Sequence, residues 1–289
     1  MTTDEVSGNR LKITTIIPTL NEMRHVERSV QSALQLGPVF VLDSQSTDET
    51  RSLAERAGAT VVVQPWLGYA RQKNWALENL PITTEWILFL DADEWITEEL
   101  AAEIWQRVDG AVQLGFYLAR RNIFLKRELK HAWWYPDYQL RLFRLGAGRY
   151  ENREVHEHII LEGEAGFLKN ALMHENVKGI DEFMRRHEKY AAMEAREIVQ
   201  RSSGLDHDQR SGSFRGSWPD RRRALKVKVW YRLPARPAIR FVWMYILRRG
   251  FLDGRQGLVY CQLLASYEAL IDAKILEIEL EQTGPATNG

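Results

Sequence analysis

"ILFLDADEWITEEL" occupies residues 87–100, and its reading decides the fold. From Trp86 to Leu90 the chain is apolar, and it then places three carboxylates in four positions: Asp91, Asp93 and Glu94. A short run that is apolar throughout suits a strand buried on both faces, as in a parallel sheet covered by helices. In such sheets ligands bind beyond the carboxyl ends of the strands, which is where these carboxylates fall. Asp91 and Asp93, with only Ala92 between them, repel unless a positive charge intervenes. A hard divalent ion, Mg²⁺ or Mn²⁺, relieves that repulsion because it takes few protein carboxylates and completes its shell with phosphate oxygens and water. The opposing reading leaves the acids solvated, with Asp93 or Glu94 capping a helix that begins near Thr97.

Upstream, the same alternation repeats. "ITTII" (13–17) precedes the helix-like "HVERSVQSALQL", and "VFVLD" (39–43) precedes "STDETRSLAERAG", where Ser46, Thr47 or Asp48 can cap a helix ended by Gly58. "ATVVVQ" and "EWILFLD" flank a further helical stretch, "GYARQKNWALENL". This order predicts a mostly parallel α/β sheet with helices on both faces. Three polar clusters, "PTLNE" (18–22), "DSQSTD" (43–48) and "DADE" (91–94), each follow an apolar strand and so converge on one sheet edge. Asp43, at a strand end, reads as a ligand group, and Asp48 as a helix cap favoured by the dipole. Asn21 and Glu22 stand at a loop mouth, where turn formation is the competing role. Gly68 permits an unusual backbone, and Arg71, Lys73 and Asn74 add donors suited to a diphosphate or, alternatively, to a solvated helix face.

The whole chain has 289 residues, with 39 basic and 39 acidic side chains, so net charge excludes no partner. The single cysteine, Cys261, lies among apolar residues and reads as a packed thiol in a reducing compartment. The polar start "MTTDEVSGNRLK" lacks the apolar stretch of a secretory signal. No apolar run approaches the roughly 20 residues that span a bilayer. These features predict a cytoplasmic location.

Past residue 111 come shorter strands, "GFYLARRNIF", "YQLRLFRL" and "EHIILEGE", then a charged helix from Ile180 to Gln200. Residues 201–220, rich in Ser, Gly, Asp and Arg, read as a linker or mobile loop. Residues 221–289 open with "RRRALKVKVWYRLPARPAIRFVWMYILRRG" and close in a long helix to about Glu281. The division expected is therefore 10–200 for the main domain, with halves 10–110 and 111–200, then the linker, then a C-terminal helical, basic-aromatic extension.

In their order and spacing, "TTIIPTLNE", "VLDSQSTDET", "GYARQKNWAL" and "WILFLDADEW" resemble the nucleotide-sugar-binding half of family 2 glycosyltransferases. The resemblance implies a GT-A fold, a nucleotide-diphosphate sugar donor, expected to be a UDP-sugar such as UDP-glucose, and inversion at the anomeric carbon. It implies that Asp43 meets the base, that Pro18, Leu20 and Glu22 lie beside base and ribose, and that Arg71 and Lys73 serve the diphosphate. Asp91, Ala92 and Asp93 would meet ribose and metal-bridged diphosphate, with Asp93 on the metal. The later segments "WWYPDYQLRLFR", "REVHEHI", "LMHENVKGIDEFMRRHEKYA" and "RPAIRFVWMYILRRGFLDGRQGLVYCQLLASY" are similar to bacterial lipopolysaccharide-core β-glucosyltransferases, and imply a lipid-linked saccharide as acceptor.

An inverting transfer needs a carboxylate to take the acceptor proton. The acidic pair that usually supplies it in the family is absent here. Asp137 is its counterpart, with Glu157 as rival and a plain Pro-Asp turn as the competing role. Arg141 and Arg144 are expected to favour phosphate. "HEH" (156–158) is too short for two zinc-binding histidines four apart on a helix. His174 is expected to complete the metal shell, and His156 to be an acceptor-side or structural group.

Basic and aromatic residues interleave from Arg221 to Arg249. That pattern suits an anionic membrane surface and predicts peripheral attachment at the inner face of the cytoplasmic membrane. Nucleic acid is the competing partner and is not expected, because no recognised nucleic-acid motif accompanies the strip. A third reading packs the aromatics inward and leaves only the arginines wet. The competing functions are a sugar nucleotidyltransferase, whose glycine-rich basic N-terminal signature is missing, and a catalytically degenerate membrane scaffold.

Overall fold

A computed structural model describes residues 12–132, 135–151, 159–175, 179–202, 230 and 233–283. The chain forms two compact units, one of residues up to Ile123 with Trp134–Val177, the other of Phe124–Trp133 with Lys178 onward. The strands are β1 (Ile13–Thr19), β2 (Val39–Asp43), β3 (Thr60–Val63), β4 (Trp86–Phe89), β5 (Glu94–Trp95), β6 (Gly115–Phe124), β7 (Arg127–Glu128), β8 (Tyr138–Arg144), β9 (Gly148–Tyr150), β10 (Ile159–Leu161) and β11 (Ala165–Glu175). The helices of the first unit are α1 (Val26–Ala33), α2 (Thr50–Arg56), α3 (Tyr69–Asn79) and α4 (Glu98–Val108).

In the first unit the sheet order is β3-β2-β1-β4-β8-β6-β11-β5. β1, β2, β3 and β4 run parallel, as the alternation of apolar runs and helices requires. Side chains alternate across the sheet, so each strand feeds two cores. Ile13, Ile17 and Leu88 pack with Val30 of α1 and Leu100 and Ile104 of α4, while Ile16, Ile87 and Phe89 pack with Ala70 and Ala76 of α3. This double burial explains why β1, β2 and β4 carry no charged residue before Asp43 at the end of β2. β8 then enters antiparallel to both β4 and β6, with Leu88 opposite Leu142 and Ala119 opposite Tyr138. The start of β8 therefore lies at the carboxyl end of β4.

The second unit joins α5 (Gly179–Ser202), α6 (Arg236–Val242), a π-helical turn Trp243–Leu247, a 3₁₀ turn Gly250–Asp253 and α7 (Gly254–Thr283). Leu129, Ala132, Met244, Tyr260, Cys261 and Leu264 form its core, with Phe183 of α5 packed against them. Tyr267 Oη donates to Glu194 Oε2 at 2.8 Å, so α5 groups with the C-terminal helices rather than with the sheet. Of the expected linker, residues 203–220 lie outside the described residues, and Arg201 and Ser202 close α5. Cys261 is fully buried, and burial pushes its thiol up to about 11, as a packing role requires. Gly257 is needed at a close approach, because a Cβ there would meet the Gly250 carbonyl oxygen at 2.3 Å.

Asp253 ties this unit together. Its Oδ2 accepts from the backbone N–H of His131 at 2.9 Å and of Ala132 at 2.7 Å, and its Oδ1 from that of Lys130 at 3.1 Å. His131 Nδ1 lies 3.0 Å from Oδ1. Burial alone raises the carboxyl's pKa, but these donors hold it below the usual aspartate value. A depressed folded value stabilises the fold above the unfolded pKa, and that contribution is lost as pH falls through the folded one. Asp253→Ala leaves buried N–H groups unpaired at about 1–3 kcal/mol each, so the expected loss is on the order of 3 kcal/mol. Urea melts at neutral pH measure it, and the gap between the two proteins should narrow once pH drops below about 3.9.

Candidate functional site

The three polar clusters follow the carboxyl ends of β1, β2 and β4 at one sheet edge, as the strand order requires, and the first two are bonded to each other. Ser44 N donates to Thr19 O at 2.8 Å, and Glu22 N to Thr50 Oγ1 at 2.8 Å. Asn21 adopts φ 54°, a left-handed turn that asparagine tolerates through its short polar side chain. Its N–H donates to Ser46 Oγ at 2.8 Å, and its Oδ1 accepts from Thr47 N at 2.9 Å. Asn21 thus locks the first loop onto the second.

Asp43 has no exposed surface. Its Oδ1 accepts from Thr19 Oγ1 at 3.2 Å and its Oδ2 from Ser46 N at 2.8 Å, so it organises these loops from within. A carboxylate has roughly four lone-pair sites, which leaves Asp43 further acceptor capacity. Asp48 accepts from Thr50 N at 3.0 Å just ahead of α2, but Glu49, and not Ser46, Thr47 or Asp48 as expected, occupies the cap position. Pro18 pairs in register with Leu42, Leu20 is half exposed, and Glu22 Oε2 lies 2.8 Å from the buried His25 Nδ1.

The acids after β4 have different fates. Thr97 caps α4 by accepting from Leu100 N at 3.3 Å, so neither Asp93 nor Glu94 serves as that cap. Glu94 is fully buried, accepting from Asp91 N at 3.0 Å and lying 3.3 Å from Arg141 Nη2 and 3.6 Å from Arg120 Nη1. Burial, with Asp91 nearby, pushes its carboxyl up against the pull of the arginines. Arg141 Nη2 also donates to Asp91 Oδ2 at 2.7 Å. Burial opposes ionisation of Asp91, yet Arg141, with Lys73 and Arg120, holds its carboxyl well below the usual range.

Asp93 meets a different partner. His174 Nε2 lies 3.2 Å from Asp93 Oδ2, and His174 Nδ1 lies 2.5 Å from Asn122 Oδ1. Registry across β6, β11 and β5 places Asn122, His174 and Glu94 in one row. With Nδ1–H donated to the Asn122 oxygen, the neutral ring turns a lone pair on Nε2 toward the Asp93 carboxylate. Two acceptors that face each other at this distance need a cation between them, either a proton on the ring or a metal ion. His174 lies within β11.

Asp137 stands immediately before β8, following the cis Tyr135–Pro136 peptide. Its Oδ2 accepts from Arg120 Nη2 at 2.8 Å, and 31% of its side chain remains exposed. Asp137, Arg120, Glu94, Arg141 and Asp91 thus form one chain of alternating charge. The rival base Glu157, with His156 and His158, lies outside the described residues.

α3 follows Gly68 at its cap position, whose φ of 103° is unfavourable for any residue with a Cβ. It brings Lys73 Nζ to 4.8 Å from the Tyr150 ring and leaves Arg71 exposed. Asn74 is spent on structure, exchanging hydrogen bonds of 2.8 and 2.9 Å with the Tyr150 backbone.

Sequence reasoning misassigned two arginines and missed two neighbours. Arg144, expected near phosphate, pairs with Glu85 and donates to Ala111 O at 2.9 Å. Antiparallel pairing sets Arg144 opposite Trp86, at the start of β4 and therefore at the far edge of the sheet from Asp91. Arg141 is buried against carboxylates instead of waiting for phosphate. The roles of Arg120 and Asn122 were not seen, although a signal existed: both continue the strand face of the buried Phe116 and Leu118. A charged residue on that face needs a buried partner.

The chain matches the family described as "Glycosyl transferase family 2" over residues 14–172. It is 28% identical over 278 residues to the "Lipopolysaccharide core biosynthesis glycosyltransferase LpsC" of Rhizobium meliloti, covering 93% of each chain. It is also 28% identical over 290 residues to an "Uncharacterized glycosyltransferase" of Rickettsia bellii, covering 96% of this chain and 90% of the relative. Among solved structures, the mannosyltransferase PcManGT of Pyrobaculum calidifontis, in complex with GDP-Man and Mn²⁺, matches with a TM-score of 0.48 and 14% identity, over 92% of this chain and 87% of its own. TarS of S. aureus, in complex with UDP-GlcNAc, matches with a TM-score of 0.42 and 14% identity, over 91% and 92%.

Proposed function

Because the chain belongs to glycosyltransferase family 2 and has the α/β sheet with parallel leading strands expected of a GT-A fold, we propose that it moves a sugar from a UDP-sugar, with inversion, to a lipid-linked saccharide such as lipopolysaccharide core. The observation that carries this reading is the Asp93–His174 pair beside Asp91. One carboxylate and one imidazole make a sparse donor set, which suits Mg²⁺ or Mn²⁺ with a shell completed by diphosphate oxygens and water. The pair therefore fits the ion that the family implies. When bound, such an ion neutralises charge on the departing diphosphate.

The chain's own residues do the rest. Asp91, kept ionised by Arg141, accepts from ribose hydroxyls, and Lys73 and Arg71 lie toward the diphosphate. Asp43, Pro18, Leu20 and Glu22 line the side of the base, and Ala92 keeps the passage between the acids narrow. Asp137 takes the proton of the acceptor hydroxyl as its oxygen bonds to the anomeric carbon and the bond to the diphosphate oxygen breaks. Arg120 orients that carboxylate.

LpsC, named for lipopolysaccharide core biosynthesis, supports the choice of acceptor class. Membership of family 2 removes the sugar nucleotidyltransferase reading. The expected result with the full chain and Mn²⁺ is that one UDP-sugar raises the melting temperature and slowly releases UDP, and that EDTA removes both effects. Unchanged melting and turnover in EDTA would defeat the metal assignment, and no response to any UDP-sugar would defeat the donor class.

A further inference from the structure

Helix α6 and the two turns that follow it are inverted in polarity. Between Leu233 and Leu252 ten residues are exposed, and Arg249 is the single charged one, the other nine being Pro, Ala, Val, Ile, Leu or Phe. Ile239, Val242 and Ile246 follow at helical spacing and share a face, and Leu247, Phe251 and Leu252 extend the apolar surface, with Leu247 at 69% exposure. The charges point the other way. Arg236, 2% exposed, pairs with Asp272 and lies 3.9 Å from Glu268, and Arg240 Nη1 lies 3.9 Å from the same Glu268. The two arginines are one helical turn apart, as are the two acids, so α6 lies with its basic side on α7.

A helix that faces water does the reverse. Burying ion pairs carries a desolvation penalty, and a continuous exposed apolar surface marks an interaction site. This arrangement corrects the reading in which the arginines of the strip are wet: two of them are spent within the unit. Of the strip's other basic residues, Arg221, Arg222, Arg223, Lys226, Lys228 and Arg232 lie outside the described residues.

We propose that this apolar ridge is the surface by which the chain docks onto an anionic bilayer, a proposal that rests on the lipid-linked acceptor reading and gives it a location. Charge selects this occupant. From Leu233 to Tyr267 the one carboxylate is Asp253, which is buried on the backbone of residues 130–132, whereas Arg249 and Arg255 are exposed at the ridge's end. Arg248 stacks over the Trp243 ring at 5.3 Å, an amphipathic pairing suited to the headgroup layer. No helix among the described residues is long and apolar enough to cross a membrane, so the ridge would insert only to the acyl boundary.

The test uses the full chain and sedimentation with vesicles of phosphatidylcholine alone or mixed with phosphatidylglycerol. The parent should bind the mixed vesicles, and the combined variant Ile246→Ser, Leu247→Ser, Phe251→Ser should lose at least about tenfold in partition. Its UDP-dependent thermal shift should match the parent's, which shows that it folds. Arg249→Glu with Arg255→Glu should weaken binding to the mixed vesicles alone. A serine variant that sediments like the parent overturns the proposal, as does a parent that binds neither vesicle. A parent that dimerises through the ridge, with the serine variant monomeric, assigns it instead to a second copy. Vesicle binding without any UDP-sugar turnover in detergent would leave docking intact and defeat the functional reading.

Discussion

Asp93→Ala should abolish transfer, lowering kcat by on the order of 10³-fold or more, since a metal ion contributes several kcal/mol of charge stabilisation at the transition state. The same change should remove the extra stabilisation that Mn²⁺ gives to the UDP complex. The fold should survive, because the Asp93 side chain bonds only His174 among the described contacts, and the bond from Glu175 N to the Asp93 carbonyl at 3.0 Å does not depend on it. His174→Ala should weaken Mn²⁺ binding, and Asn122→Ala should do so by about 10- to 100-fold through loss of ring orientation. Glu94→Ala offers the contrast. It would remove the carboxylate shared by Arg141 and Arg120 and leave the Asp91 N–H without its acceptor in a buried place, so its main effect should be on melting temperature. Calorimetric titration of Mn²⁺ in the presence of UDP separates these cases, and an active Asp93→Ala would sink the metal assignment.

Asp137→Asn should cut kcat by about 10²–10⁴-fold while UDP-sugar affinity stays nearly unchanged. Asparagine keeps the shape and can still accept from Arg120, but it cannot take a proton. Arg120→Lys should keep part of the activity, since it retains charge but loses the planar fork that fixes the carboxylate. A small effect of Asp137→Asn beside a dead Glu157→Gln would move the role to Glu157. Steady-state rates and donor affinity measured separately distinguish loss of chemistry from loss of binding.

The sheet was legible because its signals are local. Each of β1, β2 and β4 is a short apolar run bounded by polar turns, and Ile13, Ile16 and Ile17 reach both faces through the period of two. The convergence of residues 18–22, 43–48 and 91–94 follows from parallel order alone. What the linear pattern leaves open is pairing between segments far apart in the chain. β8 lies between β4 and β6 in antiparallel sense, and that carries Asp137 to the Asp91 edge and Arg144 to the opposite one. Arg120 and Arg141 become partners of the acids only through that register.

His174 and Asn122 meet because β11 runs parallel to β6, 52 positions apart in sequence. The direction in which α6 turns its arginines depends likewise on α7, where Glu268 and Asp272 wait at matching spacing. Composition alone marked that stretch as basic and aromatic. Residue type and spacing thus determined the fold class and the sheet edge at which the polar clusters and the paired acids gather. Tertiary structure decided which charges neutralise one another and which surface is left apolar, because Coulomb and desolvation energies depend on distances through space that the chain's own order does not encode.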